Sequence, residues 1–477
     1  MKPLLLLAMM APALSLFADE DTLHSFKKIQ LTDKFWSEGA TFGDLNRDGH
    51  NDIISGPYWW EGPDFKVRHE YYPPKMTFTR KAKDGSEEKI EGFEGALGVN
   101  NRYSDNFFAF VHDFNKDGWL DILILGFPGH DASWFENPGK AAITSAAPWK
   151  RHKVFGVVDN ESPTWTDLTG DGQPEIVCNT TMVEGGRTNT YFGYVTPDWS
   201  EPSKPWTFHK ITPPGNFGRF THGMGVGDVN GDGRLDLLEK NGWWEQPASL
   251  GGDPEWKLHK EFFGVGGAQM YTYDVNGDGL NDIITSLAAQ GFGLAWYEQY
   301  REDGAIKFRS HTIMNKEPAE NRYGLKFAQL HAIDLVDMDG DGVKDIVTGK
   351  RFWAHGAQGD IEANADPVTY FFRIVRHPDK SVDFVPHLIA PDVGVGTQVV
   401  AGDINGDKIP DVVIANKKGT FVLLHETRKV SRAEWIAAQP KVLFPDAGTT
   451  VRSEDIIKHT VRSFATNAVK PTATPAK

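Results

Sequence analysis

One nine-residue pattern recurs seven times along the chain and leaves few folds open to it. DLNRDGHND begins at Asp44, DFNKDGWLD at Asp113, DLTGDGQPE at Asp167 and DVNGDGRLD at Asp228. DVNGDGLND begins at Asp274, DMDGDGVKD at Asp337 and DINGDKIPD at Asp403. The starts lie 46 to 69 residues apart, the length of one four-stranded propeller blade with variable loops. Each loop runs into a short apolar strand such as DILIL or DVVI, then a turn and, in most repeats, an aromatic strand such as YWWEG or GWWEQP. A further strand carries a histidine: His69, His152, His209, His259, His311 and His387. These six read as structural. Short periods and Gly/Pro/Asn-rich turns indicate an all-β chain. The expected fold is a seven-bladed β-propeller. The seventh repeat lacks a histidine-bearing outer strand, while residues 23–31 form such a strand with no blade of their own. Pairing the two would join the chain ends and leave no sheet edge open there.

The ends read differently. MKPLLLLAMMAPALSLFA, residues 1–18, has the lysine, apolar run and terminal small residue of a secretory signal peptide. That implies a secreted or periplasmic protein with its propeller at 19–427. No other apolar run is long enough to span a bilayer. SRAEWIAAQ, with Ser431 and Glu434 at capping-box spacing, predicts a short helix in a C-terminal extension over 428–464. Residues 465–477, ATNAVKPTATPAK, have the composition of a disordered tail. A net charge of −15 argues against nucleic acid as a partner. Fifteen tryptophans suit a carbohydrate-facing or tightly packed β protein. The single cysteine, Cys178, lies in the apolar run EIVCN and reads as a buried small hydrophobe. Without disulfides, an exported fold needs another staple. Oligomeric state is not legible.

The loops supply a staple. Calcium takes six to eight oxygens, and in D-x-[DN]-x-D-G-x-x-D positions 1, 3 and 5 lie along one tight turn. Glycine at 6 permits the bend, position 7 offers a carbonyl, and the acid at 9 closes the shell. The candidate ligands are Asp44, Asn46, Asp48 and Asp52; Asp113, Asn115, Asp117 and Asp121; Asp167, Thr169, Asp171 and Glu175; and Asp228, Asn230, Asp232 and Asp236. The remaining loops offer Asp274, Asn276, Asp278 and Asp282; Asp337, Asp339, Asp341 and Asp345; and Asp403, Asn405, Asp407 and Asp411. Thr169 and Glu175 depart from the pattern, and Lys408 stands where the other loops have glycine. The loops hold 22 of the 65 acidic residues, so bound calcium would offset much of the net charge.

This pattern resembles the FG-GAP/VCBS repeat family, calcium-loop propellers that include the integrin α head. The resemblance implies that each loop joins the innermost strand to the second on the bottom face. The innermost strands then begin at the top, where propellers bind ligands.

Six residues before each loop stand Glu38, Phe107, Glu161, His222, Ala268, His331 and Thr397. If the repeats align, these ring the channel mouth, and Glu38, Glu161, His222 and His331 are the candidate catalytic residues. Turns and connections on the same face add candidate substrate-binding groups: Lys240, Lys350 and Arg351. An Asn-Arg-Tyr tripeptide occurs twice and adds Arg102, Tyr103, Arg322 and Tyr323; Gln269 and Gln398 lie one place along their strands. A Glu/His ring suits general acid–base work, a metal centre with an additional divalent cation, or plain ligand binding. No hydrolase triad signature, phosphate loop or dinucleotide motif is present. THGMGVGDVNGDGRLDLLEKNGWWEQP is similar to propellers allied to aldos-2-ulose dehydratases, which remove water from keto- or anhydro-sugars. That resemblance implies a sugar or ulose dehydratase or lyase working by proton abstraction and β-elimination. The cupin domains of the fungal enzymes have no room here. The alternative is a non-catalytic propeller that binds carbohydrate or protein.

Overall fold

The computed structural model describes residues 20–74, 78–82, 84–90 and 103–447. The signal-peptide segment, Arg102 and the tail at 465–477 lie outside the described residues. Among the described residues the sheets form seven four-stranded antiparallel units, the fourth and fifth joined by a short parallel pairing of their first strands, and one separate hairpin of Phe78–Lys81 with Glu87–Ile90. The innermost strands are Ala40–Gly43, Phe108–His112, Thr164–Thr166, Met224–Gly227, Gln269–Tyr273, Ile333–Val336 and Val399–Gly402. Six units pair their strands in chain order. In the seventh, the fourth place is taken by the N-terminal strand Glu20–Thr32, antiparallel to Gly419–Ser431 from Glu20 opposite Ser431 to Thr32 opposite Thr420.

The nine-residue loops turn the chain from each innermost strand into the next. Position 6 needs left-handed backbone, with φ between 85° and 91° at Gly49, Gly118, Gly172, Gly233, Gly279 and Gly342. Lys408 adopts the same region at 71°, and its N–H reaches Asp403 as the glycines reach their first aspartates. The ninth-position acids have a role that spacing alone does not disclose. Asp52, Asp121, Glu175, Asp236, Asp282, Asp345 and Asp411 are all fully buried. In six of them the two carboxylate oxygens accept backbone N–H groups from loop position 2 and from the unit's third strand or the turn beyond it, as with Val229 and Gln246 on Asp236. Glu175 instead takes Leu168 and Thr169. Six of the seven acids thus tie their loop to the third strand of the same unit, or the turn beyond it, through hydrogen bonds within the protein, and Glu175 ties its loop alone.

Alternating strand residues put the apolar side chains between units. Separate hydrophobic clusters join each unit to the next, and one joins the seventh to the first through Trp36, Ile53, Trp60, Ile404, Val413 and Val422. The six recurrent histidines stack on aromatic rings of their third strands: His259 lies 3.9 Å from Trp243, His152 4.2 Å from Trp134 and His387 4.7 Å from Phe371. Five also bond a carboxylate, as His69 does Glu61 at 2.7 Å. They belong to the packing. Helix Arg432–Ala438 follows the last strand, with the Ser431 hydroxyl accepting the Glu434 N–H. Cys178 is buried. No helix among the described residues is long and apolar enough to cross a membrane.

Candidate functional site

Glu38, Glu161, His222 and His331 stand two or three residues before the innermost strands of the first, third, fourth and sixth units. The chain turns sharply to deliver both histidines. Phe220 and Gln329, each two residues upstream, hold left-handed backbone at φ 67° and 65° without being glycine, a strained geometry that concentrates at functional sites.

Three of these side chains meet at one point. Glu161 Oε2 lies 3.1 Å from His331 Nε2 and 3.6 Å from His222 Nε2, and the two Nε2 atoms are 3.2 Å apart. Arg351 sits behind them, with Nη2 2.8 Å from Glu38 Oε2 and Nη1 3.6 Å from Glu161 Oε2. Arg351 and Glu38 are each 1% exposed and His331 is fully buried, while the His222 side chain keeps 19% of its surface.

Burial alone would raise the Glu161 carboxyl, but the His331 hydrogen bond and the neighbouring positive charge outweigh it and hold it at about 2. Burial, aided by Arg351, pushes His331 down to about 3. At neutral pH His331 is therefore neutral, and Arg351 is the permanent cation beside Glu161. Burial lowers His222 as well; its ring also bonds the Phe220 backbone.

This arrangement fits a cation. One proton can satisfy only one edge of the Glu161–His222–His331 triangle. The point equidistant from three atoms so spaced lies about 1.9 Å from each, close to the metal–nitrogen and metal–oxygen bonds of about 2.0–2.2 Å. Two imidazoles and a carboxylate suit a divalent transition metal and leave coordination positions open. On these residues and their neighbours, His331 Nδ1, Arg351 Nε, Glu38 Oε1 and Gln290 Oε1 are buried without a hydrogen-bond partner among the described residues. Such atoms call for water or a ligand nearby. Two acidic groups in the nine-residue loops, Asp167/Asp171/Glu175 and Asp337/Asp339/Asp341, are also able to hold a cation.

The other expected residues divide. Lys240 shares an open cleft of about 550 Å³ with His222 and Gln290. Tyr103 is electrostatically coupled to Arg351, Glu38 and Glu161, and burial raises its hydroxyl to about 12. The second tripeptide is elsewhere, with Tyr323 donating to Asp383 at 2.7 Å and Arg322 beside the same carboxylate. Lys350 is buried and its ammonium reaches the Arg351 carbonyl at 3.4 Å. Gln398 spends its amide on the Ala109 N–H and C=O, and Gln269 spends its on Thr397 O and Ile333 N.

Sequence reasoning passed over Gln290, 3.5 Å from His222, and the cleft residues Arg219 and Phe220. Gln290 and Arg219 occupy connections with no motif; the only available signal was the position of Phe220 two residues before His222.

No curated protein matches the chain. Among solved structures it is similar to rhamnogalacturonan lyase YesW, with 12% identity, a TM-score of 0.36, and 84% of this chain and 72% of that one covered. It is also similar to an auxiliary nutrient binding protein from Bacteroides ovatus, with 10% identity, a TM-score of 0.38, and 73% and 82% covered. Both likenesses are too distant to carry an argument about function. Residues 113–178, from the second nine-residue loop to Cys178, match the FG-GAP-like repeat family, so the chain carries an FG-GAP-like repeat.

Proposed function

We propose that this is an exported, closed seven-bladed propeller stapled by calcium, which acts on a sugar or sugar-derived ulose as a carbon–oxygen lyase. The proton next to a carbonyl and the hydroxide β to that carbonyl leave together as water, and the C–H electron pair becomes the new C=C bond. Its working centre is Glu161, His222 and His331 with a divalent cation among them. The convergence of three donor atoms from three units beside an open cleft carries this reading. Closure is supported by the N-terminal strand in the seventh sheet and by the apolar cluster between the seventh and first units. Calcium is supported by the seven loops, and export by residues 1–18.

A cation held there would serve as a Lewis acid on a substrate oxygen. The chain's own residues prepare the place. The His331 hydrogen bond, with Arg351 adding positive charge, holds the Glu161 carboxyl low, and burial keeps the His331 lone pair free of a proton. His222 is the member of the three that lines the cleft, so it is the one a substrate meets. Lys240 sets a positive charge beside it, where charge develops on an enolate. The rival is a non-catalytic carbohydrate- or protein-binding propeller. It is favoured by one observation: the His222 ring already engages the Phe220 backbone, Glu161 and His331.

The test incubates metal-replete protein with keto-sugars and uronides and follows the absorbance of an unsaturated product. His222→Ala should cut turnover by about 10²–10⁴-fold with folding preserved. If wild-type protein converts none of these substrates, the lyase reading fails and the binding reading stands.

A further inference from the structure

We infer that the cleft beside His222 takes an acidic sugar, with its anionic group held by Lys240 and Arg219 and its ring laid against Phe220. This deepens the reading above and rests on it for the location of the site. The chain carries a net charge of −15, yet the described residues lining this cleft include two cations, Arg219 and Lys240, and no carboxylate. Lys240 forms no ion pair, and its ammonium no hydrogen bond, among the described residues. Its charge is nevertheless felt by His222. Arg219 is partly committed: Nε donates to Pro128 O, and the guanidinium stacks over Phe127 at 4.8 Å and Phe220 at 4.9 Å. The two rings stand edge-to-face 5.5 Å apart, so the guanidinium rests in the corner between them, and its two terminal nitrogens stay unbonded among the described residues.

Phe220 completes the argument. It is 42% exposed, one of few large apolar side chains the described surface leaves open. It is held in left-handed backbone at φ 67°, so the fold presents this ring at a conformational cost. An exposed aromatic face beside cations suits a ligand with an apolar ring face and a charged edge. A pyranose bearing a carboxylate has both; the acids that Lys240 and Arg219 feel, Glu239 and Asp159, neither line the cleft nor form an ion pair with them among the described residues.

Binding is measured by calorimetry on the full mature chain, loaded with calcium and a divalent transition metal. The probes are galacturonate oligomers, the same oligomers as methyl esters, and a sulfated galactose oligomer. The acid should bind at least about tenfold tighter than the ester, and the margin should shrink with added salt as screening grows. Lys240→Met should remove most of that margin, and Arg219→Gln part of it, without lowering the melting temperature. Preference for the sulfated oligomer over both would keep an anionic sugar and replace the carboxylate by a sulfate. Equal binding of acid and ester, or a margin that survives in Lys240→Met, overturns the proposal. The two readings fail separately. Acid preference without conversion sinks the lyase reading alone. Conversion of a neutral ulose with equal binding of acid and ester sinks this one alone. Binding of no sugar sinks this one too.

Discussion

The Nε2 atoms of His222 and His331, 109 residues apart in the chain, face each other at 3.2 Å with the same Glu161 oxygen within reach of both. Two nitrogens and a carboxylate oxygen at these separations satisfy one another best around a cation. His331→Ala and Glu161→Gln should each abolish uptake of a transition metal, measured by elemental analysis after dialysis, while calcium content stays unchanged. Retention of the metal in both variants would dissociate it from this group.

Arg351 and Glu38 form a buried pair at 2.8 Å. Breaking such a pair leaves an uncompensated charge and costs about 3–5 kcal/mol. Arg351→Met should lose stability on that scale in denaturant unfolding. Glu38→Gln should lose less, because Arg351 keeps Glu161 beside it.

Two aspartates of the fourth loop should separate the cation from the sheet. Asp232 is partly exposed, whereas Asp236 is buried and accepts two backbone N–H groups. Asp236→Ala should destabilise by about 1–3 kcal/mol for each donor left unpaired, with or without EDTA. Asp232→Ala should lower the melting temperature in calcium and make little difference in EDTA, since a ligand stabilises only the state that binds it. Equal sensitivity of both variants to EDTA would remove the distinction.

A cluster of histidines marks the seam where the N-terminal strand meets the sixth and seventh units. His24 Nδ1 lies 2.9 Å from His425 Nε2, and His387 is nearby, with Arg373 and Lys429 adding positive charge. Burial pushes His24 and His387 down to about 4. A folded-state value below the unfolded one means the unfolded chain binds more protons between about 4 and 6.5. Stability is therefore complete above about pH 6.5 and is lost as pH falls toward 4. His387→Phe keeps the stack on Phe371 and should gain on wild type by up to about 3 kcal/mol across that window. Melts in saturating calcium that show a constant difference from pH 7 to pH 4 would contradict this.

Deleting residues 19–32 should strip the last sheet of its outer strand and expose the edge of Gly419–Ser431. The truncated chain should melt lower and aggregate on heating, read by light scattering. A melt coincident with wild type would count against a structural role for that strand.

Much of this was legible in one dimension. The nine-residue loops are local: the hydrogen bonds within a loop run between residues two to seven apart, so spacing alone locates them. The loop period counts the units, and the missing outer strand after Asp403 points to residues 23–31, which pair there. The alignment on loop aspartates also brought Glu161, His222 and His331 to one level. It could not say that they touch, or that Glu38 is drawn away onto Arg351.

The sequence by itself determined the all-β repeat, the nine-residue loops and the places of Glu38, Glu161, His222 and His331 just ahead of their strands, because each is written in short-range periodicity. Only the tertiary structure decided which polar residues share a space. Two Asn-Arg-Tyr copies look alike in sequence, yet Tyr103 lies by the Arg351 pair while Tyr323 bonds Asp383. Lys350 and Arg351 are neighbours, yet only the Arg351 side chain reaches the carboxylates, because adjacent residues leave the chain in different directions. Arg219 and Phe220 precede His222 in one connection, and Gln290 joins them from another. Loop conformation is set by what the packed units leave open, and no local spacing records the contacts between units.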